Sequence, residues 1–376
     1  MNIFKNFTKV QSLPTGVYQK QSPPDQPPYR MHLRLQADGS GVLIINAATV
    51  LHLNPTAAEY AYHFIKGTSP DDAAKEISSR YHVKRDAAMH DFQDFSERIQ
   101  ALVTTPDLDP VSYLDFERVD PHSADLTAPL RLDCAVTYRL AANTQADYAP
   151  TKRVNRELTT DEWCTILDKA WDAGIPHITF TGGEATLRDD LPQLIARAEK
   201  NGQVCGLLTN GLKLADKKYL DLLLQTGLDH ILFILQPEDS DSWKALEIIM
   251  PEDIFVTVHL TVNEKNAKNV PDILEKLAKF GVKSLSLSAA NSGLKDIFKD
   301  AQNKAANLGL ALKFDLPVPY SADNPVASET EQDNAISGAG RTWLYIEPDG
   351  DVLPTQGMAD KILGNFLRDP WDQIYK

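Results

Sequence analysis

Residues 130–150 read LRLDCAVTYRLAANTQADYAP, and residues 177–190 read HITFTGGEATLRDD. Residues 130–136 are an apolar run short enough for a buried strand. Thr159 and Glu162 have the spacing of a capping box, which opens a helix ending near Gly174. Residues 177–181 form a second strand, closed by the turn Gly182-Gly183-Glu184. Strand, loop, helix, strand and glycine turn make one βαβ unit. The pattern then repeats, with predicted strands at 204–209, 230–236, 254–262 and 284–288. Helices are predicted at 187–201, 214–225 and 270–280. Such alternation is the signature of a parallel α/β sheet.

The chain before this region has a different grammar. Residues 1–29 are polar and proline-rich, and read as a flexible arm. Residues 31–36 and 42–46 flank the turn Asp38-Gly39, which predicts a hairpin. Val50, Leu51, His52 and Leu53 make a third short strand. Asn54-Pro55 and Ser69-Pro70 each pair an N-cap residue with proline at the first helical position. They open helices that end at Gly67 and near Tyr81, and a third helix is expected over 84–103. Residues 104–129 hold Pro106, Pro110, Pro121 and Pro129 among many Asp residues and read as a linker.

Composition sets the class. The chain has 376 residues, 43% hydrophobic and 24% charged, with a net charge of -14. That balance is globular, and the negative charge argues against nucleic acid as a partner. No apolar run reaches the ~20 residues of a membrane span, and the N-terminus lacks a signal-peptide core, so a cytoplasmic location is expected. Cys134, Cys164 and Cys205 are not spaced as a metal pair and read as buried small hydrophobes. His177 and His230 begin strands and His259 lies within one. None is paired with another by spacing, so no metal site is expected.

The loop and turn motifs resemble those of the radical SAM family. There, a T-x-x element at the end of the first strand leads into C-x3-C-x2-C. Here Thr137-Tyr138-Arg139 leads into Leu140, Thr144 and Asp147 at the three cysteine positions. Gly182-Gly183-Glu184 is similar to the family's GGE element, and Thr209-Asn210-Gly211 to its TNG. The fourth strand ends in Ile234-Leu235-Gln236, where the family commonly has S-L-D. Farther on, residues 337–355 resemble an auxiliary-cluster region of SPASM or twitch type, with Ser337 and Thr355 at two cysteine positions. Residues 363–366 match the family's closing L-G-N element. The strands and three helices of residues 30–103 look like the PqqD-like peptide-recognition domain.

The resemblance implies a partial (β/α)6 radical-SAM-type barrel over 130–320. An N-terminal winged-helix-like α+β domain at 30–103 precedes it, and a short SPASM-like hairpin remnant at 321–376 follows. A [4Fe–4S] cluster is held by thiolates. Leu140, Thr144, Asp147, Ser337 and Thr355 supply none. The expectation is therefore a pseudoenzyme with no [4Fe–4S] cluster and no resident cofactor. At most, Gly182, Gly183, Glu184, Thr209 and Asn210 would retain residual S-adenosylmethionine binding. The implied partner is a leader-type peptide, added as a strand at Val50, Leu51, His52 and Leu53. An active modifying enzyme is a second implied partner. Two alternatives stand beside this reading. One is a non-radical enzyme that binds S-adenosylmethionine or another nucleotide through the GGE turn. The other is a structural subunit of an active paralogue. A filled barrel mouth favours a binding or structural role, and an open polar pocket favours an enzyme.

Overall fold

The computed structural model describes residues 13–375 apart from 24–25, 27–28, 48, 106–107, 109–125, 142–144, 315 and 332–336. Most of the predicted linker, and Thr144, lie outside the described residues. The chain packs as two compact units, Met1–Thr127 and Ala128–Lys376.

The first unit is an antiparallel four-stranded sheet in the order β1-β2-β3-β4 with three helices. Its strands are β1 (Gly16–Gln21), β2 (Arg30–Leu35), β3 (Gly41–Ile45) and β4 (Thr49–Leu53). Strand β1 corrects the expectation of an arm for residues 16–21, while residues 1–12 of that arm lie outside the described residues. It pairs along its length with β2, in the register Gly16 to Leu35. Sequence patterning misses it because its anchors are not an apolar stripe. Tyr18 packs edge-on against Tyr62 at 4.9 Å, and the Lys20 ammonium sits 4.1 Å above the Phe64 ring. Both contacts use polar-ended side chains on an edge strand.

The helices form where their caps dictate. In α1 (Pro55–Lys66) the Asn54 side chain accepts from the Ala57 N–H, and Gly67 ends the helix in the left-handed region. In α2 (Pro70–Tyr81) Ser69 accepts from the Asp72 N–H. Helix α3 covers Arg85–Thr104. Met31, Leu33, Leu43, Ile45, Leu51 and Leu53 alternate onto one face of the sheet and pack against α1 and α3.

The second unit is a ten-stranded sheet whose central part is the partial (β/α)6 barrel. Its six parallel strands are β5 (Arg131–Thr137), β6 (His177–Gly182), β7 (Val204–Thr209), β8 (His230–Ile234), β9 (Phe255–Val262) and β10 (Ser284–Ala289). The helices between them are α4 (Thr160–Asp172), α5 (Leu191–Asn201), α6 (Lys217–Gln225), α7 (Ser240–Ile249) and α8 (Val270–Lys279). Thr159 and Glu162 complete the expected capping box at α4. Each helix turns its apolar stripe onto the outer face of the sheet, where Leu132, Ile178, Cys205, Ile231, Val258 and Leu285 form one core.

Two features went unread in the sequence. Helix α9 (Lys295–Asn307) leads into β11 (Ala311–Lys313), which adds in parallel to β10. Strand β12 (Trp343–Ile346) adds in parallel to β5, on the side away from β6. It then turns at Gly350 into β13 (Asp351–Leu353), followed by β14 (Gly364–Asn365) and the short α10 (Trp371–Ile374). The C-terminal hairpin is thus an extension of the barrel sheet.

Candidate functional site

Parallel barrels present ligand-facing groups at the C-terminal ends of their strands. Here those ends meet through a short turn. The Gly183 N–H donates to the Thr137 carbonyl at 2.8 Å, and the Glu184 N–H to the Arg139 carbonyl at 2.9 Å. A Cβ on Gly182, at φ +129°, would lie 2.0 Å from the Thr137 oxygen, and one on Gly183 would lie 2.2 Å from the Arg139 oxygen. Packing of β6 on β5 therefore requires both glycines, whatever binds there.

Glu184 is 5% exposed. Its carboxylate accepts from the Thr186 hydroxyl at 2.6 Å and N–H at 3.2 Å, the Thr209 hydroxyl at 2.7 Å and the Asn210 N–H at 2.9 Å. The structure thus brings Gly182, Gly183, Glu184, Thr209 and Asn210 together, and the carboxylate stitches the ends of β6 and β7. The GGE and TNG elements carry each other's hydrogen bonds.

A strap of the chain's own residues, 316–331, lies across these strand ends. The Tyr320 N–H donates to the Gly182 carbonyl at 3.0 Å. Leu316 and Val318 pack on Leu208, Leu232 and Ile234, inward-facing residues of β7 and β8. Asn263, just past β9, donates to Asp323 at 2.8 Å, and the Gln356 amide to the Val318 carbonyl at 2.9 Å. The Tyr320 ring meets that of Tyr138 edge-on at 5.5 Å.

Beneath the strap is a buried polar cluster. Tyr320 donates to Glu329, and Tyr138 donates to Glu347 at 2.8 Å. Arg153 bridges the two carboxylates, at 2.9 Å from Glu329 and 3.4 Å from Glu347. Burial pushes the Tyr138, Tyr320 and Tyr345 hydroxyls well above the ordinary phenol range and raises the Glu347 carboxyl. These phenols stay protonated and act as donors. The Thr181 hydroxyl is 1% exposed and has no hydrogen-bond partner among the described residues. Strand alternation places it on the lumen face with Thr179 and His177.

The family's cluster positions hold no thiol. Leu140 is half-buried and packs in the Tyr138, Tyr320 and Tyr345 cluster. Asp147 and Ser337 are exposed. Thr355 is buried and accepts from the Trp343 indole N–H at 3.2 Å. Cys134 and Cys205 are fully buried in the helix-facing core, and Cys164 is on α4. The donor set among the described residues does not fit an iron–sulfur cluster, so no reaction step through one follows from this site.

At the opposite end of the barrel, sequence spacing missed a pair. The Nε2 atoms of His177 and His230 lie 2.7 Å apart, across β7. Gly206 makes the room, since a Cβ there would fall 2.2 Å from the His230 ring. A glycine inside a strand was the available signal for a close approach. Burial, then the nearby Arg131, lowers His230 to about 4. Higher in the lumen, His259 bonds Ser286 at 2.9 Å, Ser288 at 3.1 Å and Thr261 at 3.2 Å. In the first unit, Val50, Leu51, His52 and Leu53 lie on β4, which pairs only with β3 and so forms a sheet edge among the described residues.

Comparison with known proteins places this geometry. Residues 134–249 match the family model described as the Radical SAM superfamily. The chain is 31% identical over 234 residues to a PqqA peptide cyclase of Granulibacter bethesdensis, matching 54% of this chain and 60% of that protein. It is 24% identical over 285 residues to the PqqA peptide cyclase of Streptomyces rochei, covering 66% and 76% of the two chains. Streptococcus suis SuiB bound to S-adenosylmethionine shares the fold at a TM-score of 0.60 and 14% identity, over 95% of this chain and 88% of that one. SuiB bound to the precursor peptide SuiA gives 0.59 at 14% identity, over 92% and 87%. The expectation of no resident cofactor is corrected by these matches. The matched model is that of the Radical SAM superfamily, and SuiB was solved with S-adenosylmethionine bound. No helix among the described residues is long and apolar enough to cross a membrane. Residues 134–249 thus match the radical SAM model, and the chain is similar to the PqqA peptide cyclases.

Proposed function

We propose that this chain is a peptide-binding pseudoenzyme of a ribosomal-peptide modification pathway. In this reading residues 30–103 are a PqqD-like recognition domain, and residues 321–376 a SPASM-type remnant. The barrel of residues 130–320 no longer runs the radical reaction itself. It serves instead as the body that holds the recognition unit for an active modifying enzyme. The observation that carries this reading is the filled barrel mouth: the strap takes the Gly182 carbonyl and covers Leu208, Leu232 and Ile234. Support also comes from the edge strand β4, whose outer backbone groups are a template for an added peptide strand. The names of the relatives support it, since one is a PqqA peptide cyclase and SuiB was solved with the precursor peptide SuiA.

The test has two arms on the full chain. A display library of random 20-residue peptides is panned, and the enriched peptides are followed by amide hydrogen exchange. The expected result is slowed exchange at residues 49–53. No enrichment, or protection that leaves β4 untouched, defeats the recognition role. In the second arm, S-adenosylmethionine is incubated with anaerobically reconstituted, reduced protein. Methionine release in multiple turnovers would overturn the pseudoenzyme assignment.

A further inference from the structure

We propose that residues 316–331 are an intramolecular competitor for the barrel mouth. The strap stands in for a small polar ligand of the S-adenosylmethionine class and holds the site shut by a latch that can open. This goes beyond the peptide-binding role above and does not depend on it.

Three observations carry the inference. First, the strap binds the mouth as a ligand would. Its Tyr320 N–H donates to the Gly182 carbonyl of the glycine turn at 3.0 Å. Its apolar side chains Leu316 and Val318 lie on the inward residues of β7 and β8. Second, the stand-in is incomplete. Thr181, next to Gly182 in sequence, keeps a buried hydroxyl with no partner among the described residues. A buried orphan hydroxyl is costly, and a ligand with a polar group at this depth would satisfy it where the strap does not. Third, the strap is anchored unevenly, with Pro319 and Tyr320 buried at its centre and lighter burial on either side. Leu316, Pro317 and Val318 are only half-buried, and Ala322 is exposed. Among the described residues, the polar contacts that tie the strap to the rest of the unit include Tyr320 to Gly182, Arg153 to Glu329, Asn263 to Asp323, and Gln356 to Val318. Half-buried flanks tied by exchangeable polar contacts open at lower cost than a fully packed core segment.

Ligand and strap then exclude each other at Gly182. The apparent affinity for the ligand is its intrinsic affinity reduced by the fraction of molecules with the strap open.

The test uses the full chain in two independent variants, each first shown by circular dichroism to keep the parent fold. A specific protease site is introduced after Ala322, and the purified protein is cut. S-adenosylmethionine binding is measured by calorimetry before and after cleavage. Glu329→Gln, which weakens the latch without cutting the chain, is measured alongside. The expected result is at least tenfold tighter binding after cleavage and a smaller gain in Glu329→Gln. Addition of S-adenosylmethionine to the uncut chain is expected to speed amide exchange over 316–331. Equal affinity before and after cleavage, or no binding in any form, overturns the proposal. So does tight binding by the uncut chain that leaves strap exchange unchanged.

Discussion

Gly183 shows how much a single missing Cβ decides. A methyl group there would press on the Arg139 carbonyl oxygen at 2.2 Å, a backbone atom that cannot swing aside. Gly183→Ala should therefore lower stability by about 2–3 kcal/mol, and Gly182→Ala by more, because its φ of +129° is strained for any other residue. Urea denaturation of the apo protein checks this, and no added ligand should alter the ranking. A neutral Gly183→Ala would return that residue to a purely ligand-binding role. The glycine pair was legible in the sequence as a turn, and Glu184 as its neighbour. The four hydrogen bonds converging on Glu184 were not, because Thr209 and Asn210 reach it only through the parallel register. The same holds for His177 and His230, which are far apart in sequence and touch only across Gly206.

At the scale of elements, β9 and β10 form a polar ladder on the lumen face. Thr257, His259 and Thr261 face Ser284, Ser286 and Ser288, and every rung is hydrogen-bonded. The alternation of both strands is plain in the sequence, and so is their pairing as neighbours. Burial lowers His259 from its ordinary 6.5 to about 4. Above pH 6.5 the ring is neutral in the folded and unfolded chain alike. As the pH falls from 6.5 towards 4, the unfolded chain takes up the proton first, so folding stability is lost across that window. The contribution is roughly 3 kcal/mol. His259→Gln keeps hydrogen-bonding capacity and removes the titration. Its unfolding free energy should fall less between pH 7 and pH 4.5 than that of the parent chain. Identical slopes would mean the ladder does not govern acid sensitivity. Other elements escaped sequence reading for a physical reason. The strap has neither a period of 2 nor one of 3.6, and the expected border between barrel and C-terminal remnant at 320/321 runs through it. Strand β1 hid because its anchors are a tyrosine and a lysine.

For the molecule as a whole, the net charge of -14 acts on encounter more than on fold. Association of cationic peptides selected by display should be fast at low salt and should slow several-fold between 20 and 200 mM salt, as stopped-flow fluorescence would record. A rate independent of salt would assign recognition to apolar contacts alone. The alternating βαβ grammar made the barrel legible, because each unit is local. The join of β12 to β5 is not local, and nothing near either strand announces it. That join carries a consequence for how the chain is made. Arg131 of β5 finds its partner Trp343 only when the late part of the chain has left the ribosome. At ~5–20 residues per second, one side of β5 waits roughly 10–40 s with its backbone groups unpaired. During that interval the nascent barrel has an open flank able to pair with any other extended chain. Productive synthesis thus depends on how well that flank is shielded until the final strand arrives.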